Sequence, residues 1–155
     1  MRDFEFVSCG ESDTIRLAKK IADIAKRQDI FALYGTLGMG KSVFSRAFIQ
    51  YLTGAQDVPS PTFTLLQVYE AKDFDIYHYD MYRIKSPEEV FELGIEDAFY
   101  QGVSLIEWPE KMEKYLPARA IRIKMQSIGE NTRRIMISSE NADWLRRVKT
   151  IEKTI

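Results

Sequence analysis

At 155 residues, 45% hydrophobic and 29% charged, the chain is long enough to close one sizeable core, and residues 1–155 are expected to form a single domain. Its 22 basic and 23 acidic side chains leave a net charge of -1, which excludes a whole-molecule pull towards polyanions and leaves a local basic patch as the route to nucleic acid. A lone cysteine excludes an intramolecular disulfide, no start resembles a leader peptide, and no apolar run reaches the roughly 18 residues of a membrane span, so a soluble cytoplasmic protein without membrane contact is expected.

Across residues 12–27, Ile15, Leu17, Ala18, Ile21, Ala22, Ile24 and Ala25 recur at helical spacing, and Ser12 is placed to cap a surface helix packed on a sheet. Ile30-Phe31-Ala32-Leu33-Tyr34 is too short for a buried helix and reads as a parallel strand covered on both faces. It runs into Gly35-Thr36-Leu37-Gly38-Met39-Gly40-Lys41-Ser42, a complete GxxxxGK[ST] phosphate loop. Val43, Phe44, Ala47, Phe48, Tyr51 and Leu52 then form a helical stripe that Gly54 can end. Residues 53–61 form a loop rich in Gly and Pro, and 63–69 and 74–79 read as an antiparallel hairpin turning near Lys72-Asp73.

Ser86-Pro87-Glu88-Glu89 carries the signature of a helix start, predicting a helix through Val90, Phe91 and Leu93 that Gly94 interrupts or ends. Residues 103–106 read as a short strand delivering Glu107 at its end, and Pro109 opens a short helix through Met112 and Tyr115. Strands at 120–125 and 134–138 and a terminal helix with Trp144, Leu145, Val148 and Ile151 complete the pattern. The order predicts an α/β fold of the P-loop NTPase-like, three-layer type with a mixed central sheet.

The loop glycines let backbone N–H groups curl towards phosphate oxygens, and the following helix adds its positive end. Lys41 is placed to meet the β and γ phosphates of a nucleotide, and the Ser42 hydroxyl to meet Mg²⁺. Glu107, at the end of its apolar strand, is the best candidate for the acid that holds Mg²⁺ directly or through water. Thr62, in the restrained loop after Pro61, either approaches Mg²⁺ and the γ phosphate as a nucleotide sensor or is a structural turn residue. His78, Asp80 and Tyr82 share a strand face if the strand continues that far; Asp80 then either orients water and Mg²⁺ or belongs to a buried hydrogen-bond network. Arg83 can pair with phosphate or an acidic partner, and Trp108 can cover the site, face a partner or fill the core. One histidine and one cysteine do not make a zinc site. The basic bias of the last third, from Arg119 to Lys149, reads as a solvated surface or as a docking face for acidic protein or RNA.

Taken together, these motifs resemble the TsaE family, also called YjeE, of small P-loop ATPases. The resemblance covers most of the chain and is carried by the phosphate loop and its spacing from Pro59-Ser60-Pro61-Thr62-Phe63-Thr64, His78-Tyr79-Asp80-Met81-Tyr82-Arg83 and Leu105-Ile106-Glu107-Trp108-Pro109-Glu110. It implies that Lys41 binds phosphate, Ser42 and Glu107 serve Mg²⁺, Thr62 is the switch threonine, Asp80 is functionally important, and Trp108 matches the family tryptophan. It further implies ATP hydrolysis supporting turnover of a complex with the TsaD and TsaB proteins in threonylcarbamoyladenosine modification of tRNA, with tRNA contacted only through that complex. Two positions depart from the family: Thr36 stands where Asp or Asn is common, and Ser42 replaces the usual threonine while keeping the oxygen. A small-molecule kinase, a GTPase and a nucleotide-binding interaction module with negligible hydrolysis are the alternatives; a kinase needs an arginine-bearing lid and a GTPase an Asn-Lys-x-Asp segment, neither of which is evident.

Overall fold

The computed structural model describes residues 2–36 and 38–154. Its strands are β1 (Arg2–Ser8), β2 (Ile30–Tyr34), β3 (Leu66–Glu70), β4 (Asp75–Asp80), β5 (Val103–Glu107), β6 (Ile121–Gly129) and β7 (Thr132–Ser139). Its helices are α1 (Glu11–Ile24), α2 (Lys41–Thr53), α3 (Ile95–Gln101) and α4 (Ala142–Lys149), with short 3-10 helices at Pro87–Phe91, Pro109–Tyr115 and Glu152–Thr154. All seven strands join one mixed sheet in the order β1-β7-β6-β2-β5-β4-β3. β2 pairs in parallel with β5 and β6, and β4 in parallel with β5; β3 and β7 run against their neighbours. The carboxyl ends of β1, β2, β4, β5 and β6 therefore share one edge of the sheet.

β2 explains the layering. Its side chains alternate, so Phe31 and Leu33 pack with Leu17, Ile21, Phe44, Phe48 and Trp144 beneath α1, α2 and α4. Ile30 and Ala32 point the other way, to Val90, Ile95, Phe99, Met112 and Ile106 under α3 and the 3-10 helices. A strand buried on both faces needs the continuous apolar run seen in its sequence. Among the described residues no helix is long and apolar enough to cross a membrane.

The predicted elements hold with corrections, one of them that the terminal helix α4 stops at Lys149, before Ile151. Residues 2–8, not foreseen as a strand, form β1, with Phe6 and Ser8 inward and Glu5 and Val7 outward. Gly10, not Ser12, stands at the cap of α1; Asp13 Oδ2 accepts from the Cys9 N–H at 2.8 Å, and α1 ends at Ile24. Residues 63–65 are not strand, because Leu65 turns into the left-handed region (φ 70°), which a strand cannot contain. The capping box at Ser86 forms, but the helix it opens is a 3-10 helix of five residues; Gly94 (φ 67°) breaks the direction, and α3 starts as a separate helix.

The terminal helix is fastened from its polar side as well. Arg147 donates to Asp29 through Nη1 (2.8 Å) and Nη2 (2.9 Å), to the Ile24 carbonyl through Nη1 (2.5 Å) and to Asp143 through Nε (2.9 Å). Asp29 is 3% exposed, so this pair is buried next to the C-terminus of α1. Asp29→Ala strands the guanidinium, and urea unfolding is expected to read a loss of about 3 kcal/mol, the low end for a broken buried pair because Asp143 and the Ile24 carbonyl remain. The double replacement Asp29→Leu with Arg147→Met is expected to recover most of that loss.

Candidate functional site

The phosphate loop lies between β2 and α2, at the sheet edge where the parallel strands end. Gly38 (φ 82°) and Gly40 (φ 101°) both take left-handed backbone that side chains with a Cβ resist. Gly40 caps α2 with no side chain, and the first backbone bond of the helix runs from the Phe44 N–H to the Gly40 carbonyl (2.9 Å). The N–H groups of the first turn are thus free for a ligand, and the helix dipole adds positive potential there. Leu37, expected to line the nucleotide, lies outside the described residues.

Lys41 is 5% exposed, and its Nζ has no hydrogen-bond partner. It lies 3.6 Å from the centroid of the Trp108 ring, a cation–π contact. Burial pulls its pKa below the usual lysine range, while Glu107, Glu110 and Asp80 pull the other way by favouring the charged form. A buried ammonium without bonds costs roughly 1–3 kcal/mol or more, a cost that an anion entering the cleft would offset. Trp108 is itself held in place: it has left-handed backbone (φ 58°), and its ring meets that of Tyr82 at 4.9 Å.

Two carboxylates face this lysine across the sheet edge. Asp80 and Glu107 stand opposite each other in the β4–β5 register, and each is 4% exposed. Asp80 Oδ1 accepts from the Tyr82 N–H (2.9 Å) and Oδ2 from the Thr62 hydroxyl (3.0 Å), which also meets the Ser60 hydroxyl at 2.7 Å. Glu107 Oε2 is 2.7 Å from His78 Nε2. β4 stops at Asp80, so Tyr82 does not share the strand face of His78 and Asp80.

These groups surround a cleft of about 540 Å³ lined by residues 38–42 of the loop together with Thr62, Asp80, Glu107 and Trp108. Gly35 and Thr36 lie outside that lining, as does Arg83, whose guanidinium sits 4.3 Å over the exposed Phe63 ring. A second wall went unread in the sequence. It consists of Ser8, Cys9, Gly10, Glu11 and Thr14 at the β1–α1 corner, with Asn131 and Arg133 from the β6–β7 hairpin. Ser8 and Thr14 share a hydroxyl contact at 2.7 Å, and Arg133 Nη2 donates to the Gly38 carbonyl at 3.4 Å. The period-two pattern of the first eight residues was the available signal for the corner; Arg133 had none, lying among the basic residues of the last third. Several of those are engaged internally: Arg122 with Glu113, Arg134 with Glu5, and Arg119 with the Gln28 and Phe99 carbonyls.

The donor set suits a hard cation: hydroxyl oxygens on Ser42 and Thr62 and carboxylate oxygens on Asp80 and Glu107. Among the described residues no group of three or more His, Cys, Asp or Glu gathers into a metal cage. Mg²⁺ is commonly held by one or two protein oxygens together with phosphates and water, and this set fits that mode.

Comparison with known proteins agrees with this geometry. The profile of the family described as "Threonylcarbamoyl adenosine biosynthesis protein TsaE" matches residues 9–135. The tRNA threonylcarbamoyladenosine biosynthesis protein TsaE of Rickettsia conorii is 45% identical over 124 residues, covering 79% of this chain and 71% of that protein. The protein of the same name from Bacillus subtilis is 33% identical over 140 residues, covering 90% and 87%. The crystal structure of Bacillus subtilis YdiB superposes with a TM-score of 0.81 at 26% identity, covering 99% of this chain and 96% of that one. A mixed α/β P-loop fold, a site built on its phosphate loop and a matching profile over most of the length lead to one assignment: this chain belongs to the TsaE family.

Proposed function

We propose that this chain, as one P-loop ATPase domain, uses Mg²⁺ to hydrolyse ATP to ADP and phosphate and thereby supports turnover of a TsaB–TsaD complex. As a TsaE-family protein it is an ATPase with an ATP-driven role in threonylcarbamoyladenosine modification of tRNA. The observation that carries the residue-level reading is the buried Lys41 ammonium, unbonded at the start of α2 and facing Asp80 and Glu107. A site with that charge pattern fits a triphosphate whose negative charge is shared between a lysine and a cation.

In this reading the N–H groups of residues 38–42 and Lys41 hold the β and γ phosphates. Ser42 and Glu107 hold Mg²⁺, which supplies neutralisation of phosphate charge. Thr62 is bonded to Asp80 in this structure. On ATP binding its hydroxyl leaves Asp80 for the phosphate end, which frees Asp80 Oδ2 to orient water. That exchange would move the adjoining Phe63, on which Arg83 is stacked, and so tie the nucleotide state to an exposed surface. Trp108 covers Lys41 and, with Arg83, is the candidate contact for a partner. TsaB and TsaD are the proposed partners in the cytoplasm, tRNA being reached only through them.

Phosphate release with and without purified TsaB and TsaD tests the reading. Lys41→Ala and Glu107→Ala are each expected to lower partner-dependent hydrolysis about 100-fold or more, the scale of removing one charge-stabilising group; thermal unfolding stays near that of the unsubstituted chain for Lys41→Ala and falls modestly for Glu107→Ala, which leaves the buried His78 Nε2 unpaired. Transfer of the phosphate to a small acceptor would instead favour a kinase.

A separate expectation concerns the threonine contact. Thr62→Val keeps shape but loses the hydroxyl, so ADP affinity should be retained while hydrolysis falls roughly 10-fold or more. Equal hydrolysis by the two forms, in single-turnover measurements, would return Thr62 to a turn residue.

A further inference from the structure

His78 has no task in the reading above, yet it is the chain's only histidine and is 2% exposed, outside the lining of the cleft. Its Nε2 lies 2.7 Å from Glu107 Oε2. The tautomer with the proton on Nε2 makes this contact an Nε2–H donor to the carboxylate oxygen. Nδ1 is buried with no hydrogen-bond partner. Packing alone does not account for such a ring, because an apolar side chain of similar volume would fill the space without leaving a polar atom unsatisfied.

The strand geometry shows what the ring does. His78 lies two residues before Asp80 on the same face of β4, across from Leu105 and diagonal to Glu107 on β5. Glu107 has one more rotatable bond than an aspartate at that place, and a bond to one oxygen removes that freedom. We propose that His78 is a positioning residue: its Nε2–H fixes Glu107 Oε2 so that Oε1 is presented to Mg²⁺, or to a water on it, beside the phosphates. The proposal rests on the reading of Glu107 as the metal-site acid. It assigns His78 to cation binding and not to phosphate binding, which belongs to Lys41 and the loop.

The test measures Mn²⁺ affinity by electron paramagnetic resonance in the presence of a non-hydrolysable ATP analogue, together with metal-free analogue affinity and thermal unfolding. His78→Leu is expected to remain folded with a lowered unfolding temperature, because Glu107 loses its donor, to keep metal-free analogue affinity within about twofold, and to bind Mn²⁺ about 10–100-fold more weakly, the scale for losing an outer partner of a metal ligand. His78→Gln, whose amide nitrogen can donate over a similar reach, is expected to recover most of that affinity; His78→Asn, too short to reach Glu107, is not, and this pair decides the matter if His78→Leu does not fold. Glu107→Gln serves as the reference. Normal Mn²⁺ affinity in His78→Leu or His78→Asn while Glu107→Gln loses it overturns the positioning role and leaves the Glu107 reading intact. A His78→Gln variant as weak as His78→Asn overturns it too, and normal affinity in Glu107→Gln overturns both readings.

Discussion

The parallel pairing of β4 with β5 sets Asp80 opposite Glu107, and the phosphate end of the cleft depends on that register. Side chains alternate along a strand, so a slip of one residue would turn His78 and Asp80 away from Glu107 and present Tyr79 instead. The register is secured from both faces: Ile76, Val103 and Leu105 belong to the cluster under α1 and α2, while Tyr79 and Ile106 belong to the cluster on the opposite side. Apolar burial thus aims the carboxylates, although none of the residues that do the aiming touches the cleft.

Charge in the cleft is balanced locally, with little help from the molecule as a whole. Lys41 answers Asp80, Glu107 and Glu110 through space, yet makes no hydrogen bond to any of them. Asp80 and Glu107 instead have hydrogen-bond partners of their own, Thr62 and the Tyr82 amide for Asp80 and His78 for Glu107. Separate hydrogen bonds keep the acids from collapsing onto the lysine, which leaves the space between them open to a ligand.

The parts of the site that are local in sequence were legible there. The glycine loop announced itself by spacing, β2 by its unbroken apolar run, and Glu107 by its place after residues 103–106. What stayed hidden depended on long-range meeting. The Arg133–Gly38 contact joins positions 95 apart, and nothing in a single basic residue tells which of many surfaces it will reach. β1 was missed because a strand with one buried face shows few apolar residues over so short a length. The Thr62–Asp80 bond was invisible for a further reason: both residues were marked as candidates for the same ligand, and only the folded chain shows that they hold each other.

The match to the family profile ends at Ile135, within β7. Trp144 lies beyond that point, 1% exposed, with its ring edge-on to Phe31 at 5.5 Å. Phe31 belongs to the strand that carries the phosphate loop, so the segment least marked by motif provides the floor on which the most recognisable one rests. A shortened chain that kept every signature residue would still lack that floor, and the boundary of what can be recognised is therefore not the boundary of what can fold.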